Sequence, residues 1–79
     1  MASNKTKKKY ICITKIGNNP DGSAECVKYH TSNLLKYSQF LDTKFKNWRY
    51  TNIYSNFGFN KGQQLGYFTI HNKPTSATL

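Results

Sequence analysis

The sequence predicts a two-layer α+β domain of order β-β-α-β-β, in which a four-stranded, mainly antiparallel sheet carries one helix on one face. Three observations point there: β-rich runs bounded by turn residues, a single stripe of apolar side chains at helical spacing, and a chain of only 79 residues. A chain this short buries roughly 60% of the surface its unfolded form exposes, so one thin core is all it can build. With 37% hydrophobic residues, 15% aromatics and a mean hydropathy of -0.74, that core must be aromatic-rich.

Residues 1–9 hold Lys5, Lys7, Lys8 and Lys9 and no apolar side chain after Ala2, so they read as a flexible basic arm. The stretch 9–16, KYICITKI, reads as the first strand, ended by Gly17 and the turn-forming run Asn18, Asn19, Pro20, Asp21 and Gly22. Residues 25–31 are its expected hairpin partner. Pairing residue 16 with 22 would set Cys12 opposite Cys26.

Leu34, Tyr37, Leu41, Phe45 and Trp48 follow at steps of three, four, four and three, which makes one helical stripe. Thr31 or Ser32 is the expected N-cap, Lys44 and Lys46 complement the helix dipole, and Asn47 suits a left-handed C-terminal cap. Two further strands are expected at 49–55 and 64–71. The loop between them carries Phe57, Gly58, Phe59, Lys61 and Gly62, with at least one phenylalanine expected to fold inward. The domain thus spans 10–71, and 72–79 reads as a polar tail broken by Pro74.

Alternation along strands assigns faces. Placing Ile11, Ile13, Val27, Tyr29, Ile53, Phe68 and Ile70 against the helix leaves Tyr10, Cys12, Thr14, Lys28, His30, Tyr50, Asn52, Tyr54, Tyr67 and His71 on the opposite face. That face combines rings, hydrogen-bonding groups and positive charge.

Twelve Lys and Arg against three acids give a net charge of +9, too uneven for internal pairing to neutralise. Such an excess speaks to partners, and the usual ones are nucleic-acid phosphates or anionic membranes. Single strands bind where exposed rings stack bases beside cations that hold phosphates. Tyr50, Tyr54 and Tyr67 are the expected stackers. Lys28, Arg49 and Lys61, with the lysines of the arm, are the expected phosphate contacts. RNA or single-stranded DNA is the expected ligand, and a ribosome-associated protein is one form of this reading.

The rival expectation is a small interaction protein, encoded by a phage or mobile element, that inhibits a host protein or nucleoprotein with an acidic surface. Phe57 and Phe59 would be its contact loop, and tyrosine-rich faces serve protein interfaces equally well, including a homodimer. No RNP-type motif, GXXG loop, paired CxxC or helix-turn-helix pattern is present to choose between them.

Other chemistries find little material. Cys12, Cys26, His30 and His71 lack the close ligand pairs of a zinc site. Asp21, Glu25 and Asp42 are too few and too scattered for acid–base catalysis, no feature activates either thiol, and the glycines form no phosphate or dinucleotide loop. The sequence reading is therefore a non-enzyme without metal or cofactor. No apolar run approaches the roughly eighteen residues of a membrane span, the lysine arm alone is a weak membrane anchor, and two cysteines suit a reducing compartment. A cytoplasmic location is expected, that of a bacterial host if the chain is phage-encoded.

Overall fold

The computed structural model describes residues 8–78. Strand β1 (Tyr10–Asn18) and β2 (Ala24–Thr31) precede helix α1 (Leu34–Lys44), which is followed by β3 (Tyr50–Ser55) and β4 (Gln64–Thr69). The strands lie in the order β2-β1-β3-β4 and every neighbouring pair is antiparallel. The predicted α+β architecture is therefore present. Because β2 and β3 both run against β1, they point the same way, and α1 carries the chain back across the sheet between them.

The β1–β2 turn shows why the cysteine pairing fails. Asn19 donates its backbone N–H to the Ser23 carbonyl at 2.8 Å, Gly22 donates to the Asn19 carbonyl at 2.9 Å, and Gly22 takes φ 91°, open to glycine. Asp21 Oδ1 accepts from both the hydroxyl and the backbone N–H of Ser23, at 2.7 and 2.9 Å. Those bonds hold its carboxyl below the ordinary range. This turn reaches two residues further than the spacing suggests, and a bulge between Lys15 and Gly17 shifts the register again. Cys12 therefore faces Tyr29 and Cys26 faces Lys15, so the two sulfurs stand on opposite sides of the sheet.

The same register inverts the predicted faces of β1. Tyr10, Cys12 and Thr14 are buried beneath the helix, while Ile11 and Ile13 turn outward. The helix itself brings large side chains, Leu34, Tyr37 and Leu41, into the core with Trp48, Ile53 and Phe68. Beneath them close packing favours small groups such as Cys12 and Thr14 over isoleucine. A polar requirement acts in the same direction. Tyr37 is buried with its hydroxyl pointing at the sheet, and Thr14 Oγ1 lies 2.7 Å from it. Thr14 donates to Thr51 Oγ1 at 2.7 Å, and Thr51 donates to the Ile13 carbonyl at 3.3 Å. Each hydroxyl has one proton, so Tyr37 must donate to Thr14, and the chain of donors ends on the backbone.

The helix is capped one residue after Ser32 and two after Thr31, the expected caps: Asn33 Oδ1 accepts the Lys36 N–H at 3.0 Å. Thr31 instead accepts the Asn33 N–H, and Ser32 accepts the Lys9 N–H at 3.1 Å. At the other end Phe45 closes the helix at φ -126°, and no non-glycine residue takes positive φ among those described, so Asn47 is not a left-handed cap. Trp48 lies past the helix yet is buried, edge-on to Phe68 at 5.7 Å, with its indole N–H donated to Asp42 Oδ1 at 3.0 Å.

Strand β4 stops at Thr69, two residues early, because Thr69 bridges to Asn72 across a tight turn. The chain then returns along the helix. Lys73 Nζ meets Asp42 Oδ2 at 2.8 Å, and the Ala77 carbonyl accepts the N–H of Leu34 at 2.9 Å. The segment read as a polar tail thus satisfies one of the free amides of the first helical turn. Lys73 and then Trp48 hold the Asp42 carboxyl below its ordinary range, although the pair is surface-exposed and contributes at most about 1 kcal/mol.

Two measurements check this packing. Thr51→Val leaves one buried O–H without an acceptor whichever way Thr14 and Tyr37 turn, so it should destabilise by about 1–3 kcal/mol in urea unfolding. Tyr37→Phe leaves every remaining proton placed and should cost less, about 0.5–1.5 kcal/mol. Burial pushes the Cys12 thiol from 9.0 up to about 12, while Cys26 is exposed. The folded protein holds the thiol proton more tightly than the unfolded chain. Its contribution is therefore complete below pH 9.0 and lost as pH rises through about 12. Ellman's reagent at pH 8 should accordingly find one reactive thiol in the native protein and a second only after denaturation.

Candidate functional site

Cross-strand registers place twelve residues of the outer face in three rows. At the end nearest the start of β3 stand Cys26, Lys15, Tyr50 and Thr69; in the middle, Lys28, Ile13, Asn52 and Tyr67; at the far end, His30, Ile11, Tyr54 and Gln64. Neighbouring strands are about 4.8 Å apart and residues rise about 3.3 Å along a strand. The grid is therefore about 14 Å across, with Tyr50 and Tyr54 about 13 Å apart. Tyr67 stands between them on the adjacent strand.

The three predicted tyrosines do share this face. Tyr67 is the most open at 66% exposure, Tyr50 follows at 37%, and Tyr54 is half-buried. Tyr50, Asn52, Gln64, Tyr67 and Thr69 surround an open hollow of about 480 Å³. Gln64 Nε2 donates to Asn52 Oδ1 at 3.1 Å. That bond leaves the Asn52 amide nitrogen and the Gln64 amide oxygen as a donor and an acceptor with no other partner among the described residues. Ring, hydrogen-bonding edge and open space meet in one place.

The charges fall differently from expectation. Lys28 and His30 lie on the face as read from the sequence. Arg49 does not: it precedes β3, donates its N–H to the Lys15 carbonyl at 2.8 Å, and borders a separate hollow with Asn47, Trp48, Ile70 and His71. His71 likewise leaves the grid, because β4 ends before it. Lys15, not expected on this face, stands directly opposite Tyr50. It was missed because β1 was turned the wrong way, and Ile11 and Ile13 were missed with it. No carboxylate belongs to the grid. Asp21 is in the β1–β2 turn, Glu25 shares the helix side with Val27, and Asp42 is on α1.

At the far end of the sheet, Lys8 and Lys9 are exposed, but their backbone is tied down. Asn56 donates its N–H to the Lys9 carbonyl at 3.0 Å and its side-chain amide to the Lys8 carbonyl at 2.8 Å. Lys5 and Lys7 lie outside the described residues. The β3–β4 loop is closed at its base by Gly62 N–H to Ser55 carbonyl at 2.7 Å and Ser55 N–H to Gln63 carbonyl at 2.9 Å. Gly58 and Gly62 take φ 74° and 92°, which only glycine accepts easily. The loop turns both rings outward, with Phe57 at 53% exposure and Phe59 fully exposed, contrary to the expected inward fold. Lys61 is exposed beside them.

Cys12 and Cys26 cannot share a ligand from opposite faces, and no group of three or more His, Cys, Asp or Glu gathers among the described residues. No described helix is long and apolar enough to cross a membrane.

The order of tyrosine exposure has a direct check. Limited nitration with tetranitromethane and peptide mapping should modify Tyr67 first and Tyr50 next, and should spare buried Tyr10 and Tyr37. Compared with known proteins, the chain matches no family model, no curated protein and no solved structure.

Proposed function

We propose that this protein binds single-stranded nucleic acid, RNA or DNA, on the outer face of its sheet. The observation that carries the reading is the composition of that face: Tyr50, Tyr67 and an amide pair around an open hollow, Tyr54 further along β3, Lys15 and Lys28 on the neighbouring strands, and no carboxylate. Bases stack on Tyr67 and Tyr50, with Tyr54 extending the platform, and Asn52 and Gln64 offer hydrogen bonds to a base edge. Lys15, Lys28 and His30 flank the rings where a phosphate backbone would pass. Lys61, Lys8 and Lys9 continue the positive surface at the far end, and the lysines of the arm add affinity without sequence preference. A net charge of +9 makes the approach to any polyanion fast and salt-sensitive.

Binding needs no reacting group in this reading, and the protein acts by occupying or presenting a strand. A second reading is favoured by one specific feature. Phe57 and Phe59 are held outward on a hydrogen-bonded loop, the form a protein-contact wedge takes, and would suit a partner protein or nucleoprotein with an acidic rim.

Fluorescence anisotropy with single-stranded RNA, single-stranded DNA and duplex DNA over a salt series tests the proposal. A single strand should bind best, and Tyr67→Ala should weaken it by about 1–3 kcal/mol, roughly 5- to 150-fold, with no loss of fold. Lys15→Gln and Lys28→Gln should each lower the salt slope by about 0.7. Arg49→Gln, off the face, should change affinity less than either. Binding that ignores Tyr67 and Tyr50 but fails with Phe57→Ser and Phe59→Ser would transfer the function to the loop.

A further inference from the structure

The two edges of the sheet are not alike. At one edge β4 is six residues long, is interrupted by a register shift opposite Ile53 and Tyr54, and is closed by the Thr69–Asn72 bridge. These are the usual means by which a sheet edge is blunted against further pairing. At the other edge β2 is eight residues long and contains no proline. Among the described residues its backbone pairs with β1 alone, apart from one bond at its first residue, from the Asn19 side chain to the Ala24 carbonyl. One whole row of its amides and carbonyls faces outward.

Beside that open edge, on the helix side of the sheet, lies a hollow of about 320 Å³ bordered by Tyr29, His30, Thr31, Lys36, Tyr37 and Phe40. Its walls are aromatic. Phe40 meets Tyr29 edge-on at 5.1 Å and stacks with Tyr37 at 5.9 Å, yet Phe40 remains 36% exposed. A strand laid along β2 projects alternate side chains to the helix side, where this hollow would receive one of them.

We propose that the β2 edge and this hollow form a docking site for an extended acidic segment of another protein, which adds as a fifth strand and inserts one large apolar side chain against Phe40. Charge complementarity selects the occupant. Lys36 and His30 are exposed at the rim of the hollow and Lys28 lies on the same strand, whereas the one acid of β2, Glu25, is near its other end. A second copy of the chain is the less suitable occupant, because β2 pairing would bring together two proteins of +9 each and two sets of the same cations. Lys36, Tyr37 and Phe40 have no part in the outer tyrosine face. Lys28 and His30 border both surfaces, so substitutions at Lys36 and Phe40, which belong to the hollow alone, are the ones that separate peptide binding from nucleic-acid binding.

The test is NMR titration of the isotope-labelled full chain with a blocked seven-residue peptide, glutamate at both ends and a central phenylalanine flanked by threonines. The expected result is a set of amide shifts centred on β2, with slowed hydrogen exchange at the outward-facing amides of that strand. Phe40→Ala and Lys36→Glu, both at exposed positions, should each weaken the peptide at least fivefold while leaving affinity for single strands within twofold. A peptide with serine at its centre should bind at least tenfold more weakly than the phenylalanine peptide. Equal affinity for the two peptides would reduce the effect to charge alone and overturn the proposal. Shifts confined to β4 or to Tyr67 would overturn it too, as would β2 amides already protected in a dimer seen by analytical ultracentrifugation.

Discussion

The line of hydroxyls from Tyr37 through Thr14 and Thr51 to the Ile13 carbonyl is the interaction on which the arrangement of this protein turns. A tyrosine at the centre of the helix stripe buries its ring readily, but its O–H needs an acceptor away from water. Only a strand that presents a hydroxyl inward supplies one. Thr14 inward puts Tyr10 and Cys12 inward as well, and by the same alternation it sends Ile11, Ile13 and Lys15 out. The outer face thus owes its two central isoleucines and one of its lysines to a polar requirement on the other side of the sheet.

The three carboxylates extend this logic to charge. Asp21 is occupied in closing the β1–β2 turn on Ser23, and Asp42 joins Trp48 to Lys73 and so fastens the returning C-terminal segment to the helix. Glu25 stands on the helix side of β2. None of them reaches the outer grid, where they would weaken its field. A chain with so few acids has placed two of them in local structural roles, and the cations of the outer face stand with no acidic side chain in the grid beside them.

The two surfaces proposed for recognition are the outer face of the sheet and the β2 edge with the hollow on its helix side. The tyrosine face is flat and wide, with donors and acceptors at its centre, which suits planar rings and a flexible backbone. The β2 edge with its aromatic hollow is narrow and directional, which suits an extended chain. On the side of the sheet away from β2, the β3–β4 loop, fixed by Gly58 and Gly62 in conformations other residues resist, keeps Phe57 and Phe59 in solvent.

How much of this was legible follows from where each signal resides. The helix showed itself in the spacing of Leu34, Tyr37 and Leu41, and β3 in the alternation of Tyr50, Thr51, Asn52, Ile53 and Tyr54, so Tyr50 and Tyr54 were placed outward and Ile53 inward from local pattern alone. Lys28 and His30 opposite Val27 and Tyr29 were legible for the same reason. β1 was not, because Tyr10, Ile11, Cys12, Ile13, Thr14 alternate between two sets that are both apolar enough to be buried, and hydropathy favours the isoleucines. The choice rested on Tyr37, twenty-three residues from Thr14, and on a turn and a bulge that moved the register by three. Ala77 against Leu34 was decided in the same way, by a contact between segments distant in sequence, and so was the bond that engages Ser32 with the Lys9 N–H. The sequence by itself determined the elements, their order and the charge, since these depend on neighbours within a turn or a strand. Which side of β1 faces the helix, and hence which residues stand together on the outer face, only the tertiary structure decided, because a buried hydroxyl must find its acceptor wherever the fold brings one.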